Sequence, residues 1–284
     1  MRKLIALALT AMLVCFGAGT MSAYAQQPEP WQLGFQPAAS PIKLQMVEFH
    51  NLLLWIITAI TLFVLGLLIY VLYKFSHKRN TVPSTVSHNT TIEIIWTVVP
   101  VAILVVIAIP SYQLIQKQEQ LHDAEMTVTA VGRQWYWQYE YEGPNGTFIY
   151  DSYMIPDDDI SGDQVRLLSV DNPMVLPADT KIRFLITAGD VLHAFAMPAL
   201  GVKMDAIPGN FNETWTTIDS SVTPPGTSIY GQCSEICGTG HGYMPIEVKV
   251  VSREEFGDWL AEAEQQWADY DIPAPGADTQ LAAR

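Results

Sequence analysis

The stretch LLLWIITAITLFVLGLLIYVLY, residues 52–73, holds no charged side chain. As a helix rising 1.5 Å per residue it would be about 33 Å long, enough to cross a hydrocarbon core of roughly 30 Å. A second uncharged run, IIWTVVPVAILVVIAIPSYQLI, covers residues 94–115 and contains Pro100 and Pro110. Prolines are tolerated in membrane helices where neighbouring groups take up the freed carbonyls. Both runs are too long and too apolar for the core helices of a soluble domain. The sequence therefore predicts a transmembrane hairpin, with helices over 47–75 and 91–116 and a loop over 76–90. The connection between the runs carries Lys74, Lys78 and Arg79 and no acid. The positive-inside rule puts that loop in the cytoplasm and both flanking segments outside.

Upstream of the hairpin, Arg2 and Lys3 precede an apolar run over 4–16, and Ala23-Tyr24-Ala25 has the small-x-small pattern of a cleavage site. Residues 1–25 read as an export signal, with the mature chain starting near Gln26 and an exported segment over 26–46. A third membrane helix would need roughly 20 apolar residues, more than this run offers. Val14 before Cys15 argues against a lipoprotein signal. The signal and the loop charges give the same orientation, with both mature termini outside. Removing the signal removes Cys15 and leaves Cys233 and Cys237, in a compartment where a disulfide must be weighed.

Downstream, from His122 to the C-terminus, 25 Asp and Glu stand against 8 Lys and Arg, a net of −17, compared with −14 for the whole chain. Such charge disfavours nucleic acid as a partner. It serves solubility and also suits a basic protein, since complementary potentials raise encounter rates by roughly 10- to 10³-fold. Residues 126–131, 134–141, 164–170, 181–187, 214–218, 227–230 and 246–251 are rich in β-branched or aromatic side chains. Turn signals separate them, among them Gly143-Pro144-Asn145-Gly146, Asp171-Asn172-Pro173 and Pro224-Pro225-Gly226. Ile182, Phe184 and Ile186 alternate with polar neighbours, as a half-buried strand requires. The expected fold over 122–252 is an all-β sandwich or barrel. A C-terminal helix is expected over 253–270. Ser252 and Glu255 form its capping box, and Phe256, Trp259, Leu260, Ala263 and Trp267 its apolar stripe. Residues 271–284 read as a flexible tail.

The loop before the last strand reads CSEICGTGHGYM, residues 233–244. Two thiols, an imidazole and a thioether fall within twelve positions, and His193 lies forty positions upstream. Thiolate and thioether are soft ligands and, with imidazole, favour copper over hard cations. Glycines at 238, 240 and 242 let the loop fold back on itself. Four readings compete. A Cys233–Cys237 disulfide leaves the histidines and Met244 unexplained. A tetrahedral zinc of two Cys and two His fits in ligand count but not with Met244 or with the absence of a Cys-x₂-Cys turn. A single blue copper uses two His, one Cys and an axial Met, and leaves a cysteine over. Two coppers bridged by both thiolates would use all five side chains.

The sequence resembles subunit II of the cytochrome c oxidases over nearly all of the mature chain. The likeness is carried by DVLH (190–193), MDAIPG (204–209), YGQCSEIC (230–237), HGYMP (241–245), GRQWYW (132–137) and the two-helix anchor. Arg133 stands where many relatives have His. The resemblance implies a cupredoxin-like domain holding the dinuclear copper centre called CuA. Cys233 and Cys237 would bridge both coppers, with His193 and Met244 completing one and His241 and the Glu235 carbonyl the other. The Glu235 carboxylate would reach a magnesium ion shared with the catalytic subunit. Trp135 would be the gate for electrons from cytochrome c, although a strand tryptophan is more often core. Glu93 would lie near the mouth of a proton pathway, although Thr90-x-x-Glu93 also reads as a capping box. Glu140, Asp157, Asp158 and Asp159 are candidates for the docking patch.

The implied activity is transfer of electrons from cytochrome c to the haems of a catalytic haem–copper subunit I, with a subunit III beside it, for proton-pumping oxygen reduction. The implied location is the lipid of a bacterial inner membrane, with the copper domain on the periplasmic side. A free-standing carrier would need one helix for tethering, a quinol oxidase subunit would lack the ligands, and a nitrous oxide reductase would need a second, larger domain. Neither apolar run contains a histidine to hold haem, and no Cys-x-x-Cys-His occurs. The oxygen-reducing site is thus expected on another polypeptide.

Overall fold

The computed structural model describes residues 26–82, 84–120 and 123–268. The expected signal, 1–25, and tail, 271–284, lie outside the described residues. Helix α1 (Pro41–Lys74) begins at Ser40, whose Oγ accepts from the Lys43 amide at 3.0 Å, with Pro41 in the first turn, where its missing N–H costs nothing. Helix α2 (Thr90–Glu119) carries Pro100 and Pro110 in its interior. At 1.5 Å per residue the helices are about 51 and 45 Å long, enough to cross a bilayer with turns to spare. Their apolar side chains face outward, Trp55 at 76% and Leu72 at 74% exposure among them, as lipid contact requires.

The capping box expected at Thr90 and Glu93 does not form. Asn89 is the cap instead, its Oδ1 accepting from the amides of Thr91 and Ile92 at 3.1 and 3.2 Å. The asparagine reaches two orphan donors from one residue earlier, which shifts Glu93 out of the capping position.

The β domain consists of β1 (Met126–Arg133), β2 (Tyr136–Glu142), β3 (Thr147–Ser152), β4 (Met174–Pro177), β5 (Lys181–Ala188), β6 (His193–Met197), β7 (Val202–Ala206), β8 (Asn212–Thr217), β9 (Ser228–Cys233) and β10 (Pro245–Val251). They form two five-stranded sheets, β3-β2-β1-β5-β8 and β4-β10-β9-β6-β7. Most pairs are antiparallel, but β1 runs parallel to β5 and β4 to β10. On β5, Ile182, Phe184 and Ile186 are fully buried while Lys181, Arg183 and Leu185 are partly exposed, the alternation expected of a two-faced strand. Trp137, Tyr139 and Tyr141 of β2 fill the space between the sheets.

Residues 164–170 do not form the expected strand. The amides of Leu168 and Ser169 both donate to Val165 O, Ser169 Oγ accepts from Val165 N, and Leu167 adopts φ 65°. These local bonds satisfy the backbone in a turn, so only Val170 bridges, to Met154.

Helix α3 (Arg253–Gln266) starts at Ser252 with the expected capping box in place. Its apolar stripe covers the aromatic end of the sandwich. Trp259 lies edge-on to Tyr141 at 5.1 Å, and Trp267 stacks on Tyr150 at 4.5 Å. The domain is pinned to the start of α1. Ser40 Oγ donates to Leu200 O at 2.7 Å, Ala39 N to Ala199 O at 2.9 Å, and Asp219 N to Ala39 O at 2.9 Å.

Candidate metal centre

Strand β9 ends at Cys233, and the chain turns back through residues 234–244 into β10. Gly238 takes φ 122°, a conformation closed to most side chains, and this reverses the loop. Strand β6 opens on His193, whose Nδ1 stands 3.8 Å from Cys233 Sγ. On the other side Cys237 Sγ lies 3.6 Å from His241 Nδ1 and 3.6 Å from Met244 Sδ. The Glu235 carbonyl is 3.4 Å from Cys233 Sγ. The fold thus gathers all six sequence-predicted donor residues, one of them through its backbone.

The two sulfurs are 3.9 Å apart, far beyond the roughly 2.05 Å of a disulfide, and both cysteines are free. His193, Cys233 and Cys237 offer ligand atoms that all lie within 4.8 Å of one another, but His241 does not join that set. One tetrahedral ion, with bonds of about 2.0–2.3 Å, would need all four donors that close. The two sulfurs instead lie between two imidazoles, His193 against Cys233 and His241 against Cys237.

The support around the ligands is specific. Asp190 Oδ1 lies 2.9 Å from His193 Nε2, so the ring donates there and leaves Nδ1 free to face the sulfur. Asp190 also accepts from the Gln134 and Val191 amides at 2.7 and 2.6 Å. His193 is fully buried and lies on the backbone of Gly132, where a Cβ would come within 2.8 Å of the imidazole Cγ. Trp137 Nε1 donates to Met244 O at 3.3 Å. The sequence reading included Asp190 in a motif but gave it no role; its position three residues before His193 was the available signal.

Electrostatics differ between the two thiols. Burial raises Cys233, but hydrogen bonds with His193 and with the backbone of Ala194 and Glu235 outweigh it and bring the thiol down to about 6. Burial and the neighbouring Cys233 charge push Cys237 up to about 12. Burial works against a charged His193, yet its bonds to Asp190 and Cys233 leave its pKa raised. Burial raises Asp190 while bonds from His193, Val191 and Gln134 lower it more, leaving it below the usual carboxylate value. Both shifts favour a charge pair between the Cys233 sulfur and the His193 ring, and a soft cation bound by the two would take the place of the ring's proton.

Trp135 is partly buried and lies over this loop. Its Nε1 donates to Cys237 O at 3.2 Å, and Gln134 Nε2 reaches the same carbonyl at 2.8 Å. A Cβ on Gly240 would fall inside the Trp135 indole. The Glu235 side chain is exposed. Glu93 is remote, in the first turn of α2, about 39 Å along that helix from Glu119.

Residues 126–251 match the family model described as cytochrome C oxidase subunit II, periplasmic domain, and residues 28–114 match cytochrome C oxidase subunit II, transmembrane domain. A probable cytochrome c oxidase subunit 2 of Rickettsia bellii is 49% identical over 260 residues, covering 92% of each chain. Cytochrome c oxidase subunit 2 of Arabidopsis thaliana is 46% identical over 238 residues, covering 82% of this chain and 90% of that one. The crystal structure of the periplasmic domain of subunit II of cytochrome oxidase of Bradyrhizobium japonicum is 46% identical and covers 52% of this chain and 99% of its own, with a TM-score of 0.47.

Proposed function

Because this chain belongs to the cytochrome c oxidase subunit II family, a part of haem–copper oxidase complexes, we propose that it accepts electrons from cytochrome c and hands them to the haems of a catalytic subunit I. Copper held by these residues would supply one-electron exchange. The observation that carries this reading is the donor set itself, two thiols 3.9 Å apart with His193 against Cys233 and His241 against Cys237. In the family pattern Cys233, Cys237, His193, His241, Met244 and the Glu235 carbonyl would together hold the copper pair.

The chain's own residues do the positioning. Asp190 fixes the His193 tautomer, and Trp137 holds the Met244 carbonyl. Trp135 is the electron gate, supported by its hydrogen bond to the carbonyl of a bridging cysteine. The exposed Glu235 carboxylate is a hard donor and suits a magnesium ion completed by subunit I. Glu93, at the end of α2 next to the basic loop, suits the mouth of a proton pathway on the inner side. The acids Glu140, Asp157, Asp158 and Asp159 form part of the docking face, although Asp157 already pairs with Arg166 at 2.7 Å. The assembly, with a subunit III, sits in a bacterial inner membrane with the copper domain outside.

The test is metal content and paramagnetic resonance on the full chain in detergent. We expect two coppers per chain and hyperfine structure from two equivalent nuclei. One copper with a blue-copper spectrum would overturn the assignment.

A further inference from the structure

Residue 26 is built into the copper domain. Its N–H donates to Ser228 O at 3.0 Å and its carbonyl accepts from Tyr230 N at 3.1 Å, in a parallel bridge to Ile229 of β9. Gln26 is 3% exposed, and its side-chain Oε1 is buried with no hydrogen-bond partner. The cleavage pattern Ala23-Tyr24-Ala25 makes the same residue the expected start of the exported chain. Cleavage at that bond leaves an α-amine that ordinarily titrates near pH 7.7–8.0 and is charged below it. An ammonium there would bring three protons to one facing carbonyl, and burial penalises its charge.

An N-terminal glutamine carries its own remedy. The neutral α-amine can attack the side-chain carbon Cδ, forming an N–Cδ bond and a five-membered lactam. The Cδ–Nε2 bond breaks, and ammonia leaves with the proton given up by the amine. The reaction needs no oxidant, reductant or co-reactant. Its product is neutral and retains a single N–H for the single facing carbonyl, Ser228 O.

We propose that the mature chain is closed at Gln26 as a pyroglutamyl residue, and that this uncharged end lets the N-terminal segment seat against β9, the strand that delivers Cys233. The experiment is mass spectrometry of the full chain purified from the membranes of an exporting bacterial host. The expected mass is that of residues 26–284 less one ammonia, about 17 Da, with an N-terminal peptide that lacks a reactive amine. A peptide starting at Gln26 with a free amine, or a start at any other residue, overturns the proposal. The variant Gln26→Ala cannot cyclise. It is expected to show a free amine, to be trimmed by an aminopeptidase that spares the wild type, and to melt at lower temperature. Melting at the wild-type temperature would refute the seating role.

Discussion

Asp190 joins two functional pieces, since one carboxylate holds the His193 ring at 2.9 Å and the amide before Trp135 at 2.7 Å. Asp190→Asn keeps the size but loses the charge that fixes the tautomer. Copper affinity should fall by about 10- to 100-fold, the usual cost of losing an outer partner of a metal-bound histidine, measured by competition with a chelator; unchanged affinity would show that the backbone alone orients the ring. Trp135 divides differently, being only partly buried and bonded to Cys237 O. Trp135→Ala should slow reduction by cytochrome c more than tenfold, about 1.4 kcal/mol in barrier, and should cost less stability than the roughly 3–5 kcal/mol of a core tryptophan. Stopped-flow and a thermal melt on the same variant decide it, and a normal rate with a collapsed melt would make Trp135 a packing residue. The proposed donors were legible in sequence because five of the six fall in one loop of twelve. Asp190 was not, because an aspartate in a turn is ordinarily solvated and only the folded β6 brings its carboxylate to the ring. The capping box offered by Thr90 and Glu93 fails because the pattern Thr90-x-x-Glu93 says nothing of the better cap, Asn89, one residue earlier.

At the scale of elements, the helices and α3 were readable because their periodicity and caps are local. The strands β3, β4, β6 and β7 were missed. They are four to six residues long, and their pairing comes from distant partners rather than from their own composition. The opposite error, a strand expected over 164–170, arose because four apolar residues in seven look like a strand while Ser169 and Leu167 close a turn. The start of α3 gathers acids with lowered pKa values. Glu255 is lowered by its bonds to Ser252, Glu125 by its bond to Arg253 and then to Lys181, and Asp179 by its bonds to Ser220. A depressed folded value means that each contribution is fully present above the ordinary carboxylate pKa, 4.5 for Glu255, and is lost as pH falls through the depressed one. The fluorescence of Trp259 and Trp267 should therefore report undocking of α3 only below pH 4.5. Glu255→Gln, which can still cap, should weaken that acid dependence, and a transition unchanged in midpoint would exclude Glu255 as a contributor. Ser252→Ala should destabilise the helix by about 1 kcal/mol at neutral pH.

Across the whole molecule, a domain of net −17 stands on a hairpin whose only cluster of cations, Lys74, Lys78 and Arg79, is at the far end. If the acids steer a basic cytochrome c, the bimolecular rate should drop steeply as salt shortens the screening length to about 8 Å; a rate flat across ionic strength would leave the acids to solubility. The bonds that pin Ser40 to Leu200 span 160 positions of chain, and the bridge from Gln26 to Ile229 spans more. These long closures set an order in time. In the proposed orientation the N-terminal segment would reach the outer surface first and wait, unpaired, until nearly all of the later chain had been exported. Contacts so distant along the chain make for slow closure. With the domain on the outer side, as proposed, Cys233 and Cys237 would emerge late and arrive as bare thiols in an oxidising space before β10 completes the sheet that shelters them. On that reading, metal delivery to this chain would be a race against oxidation, run during biogenesis rather than after it.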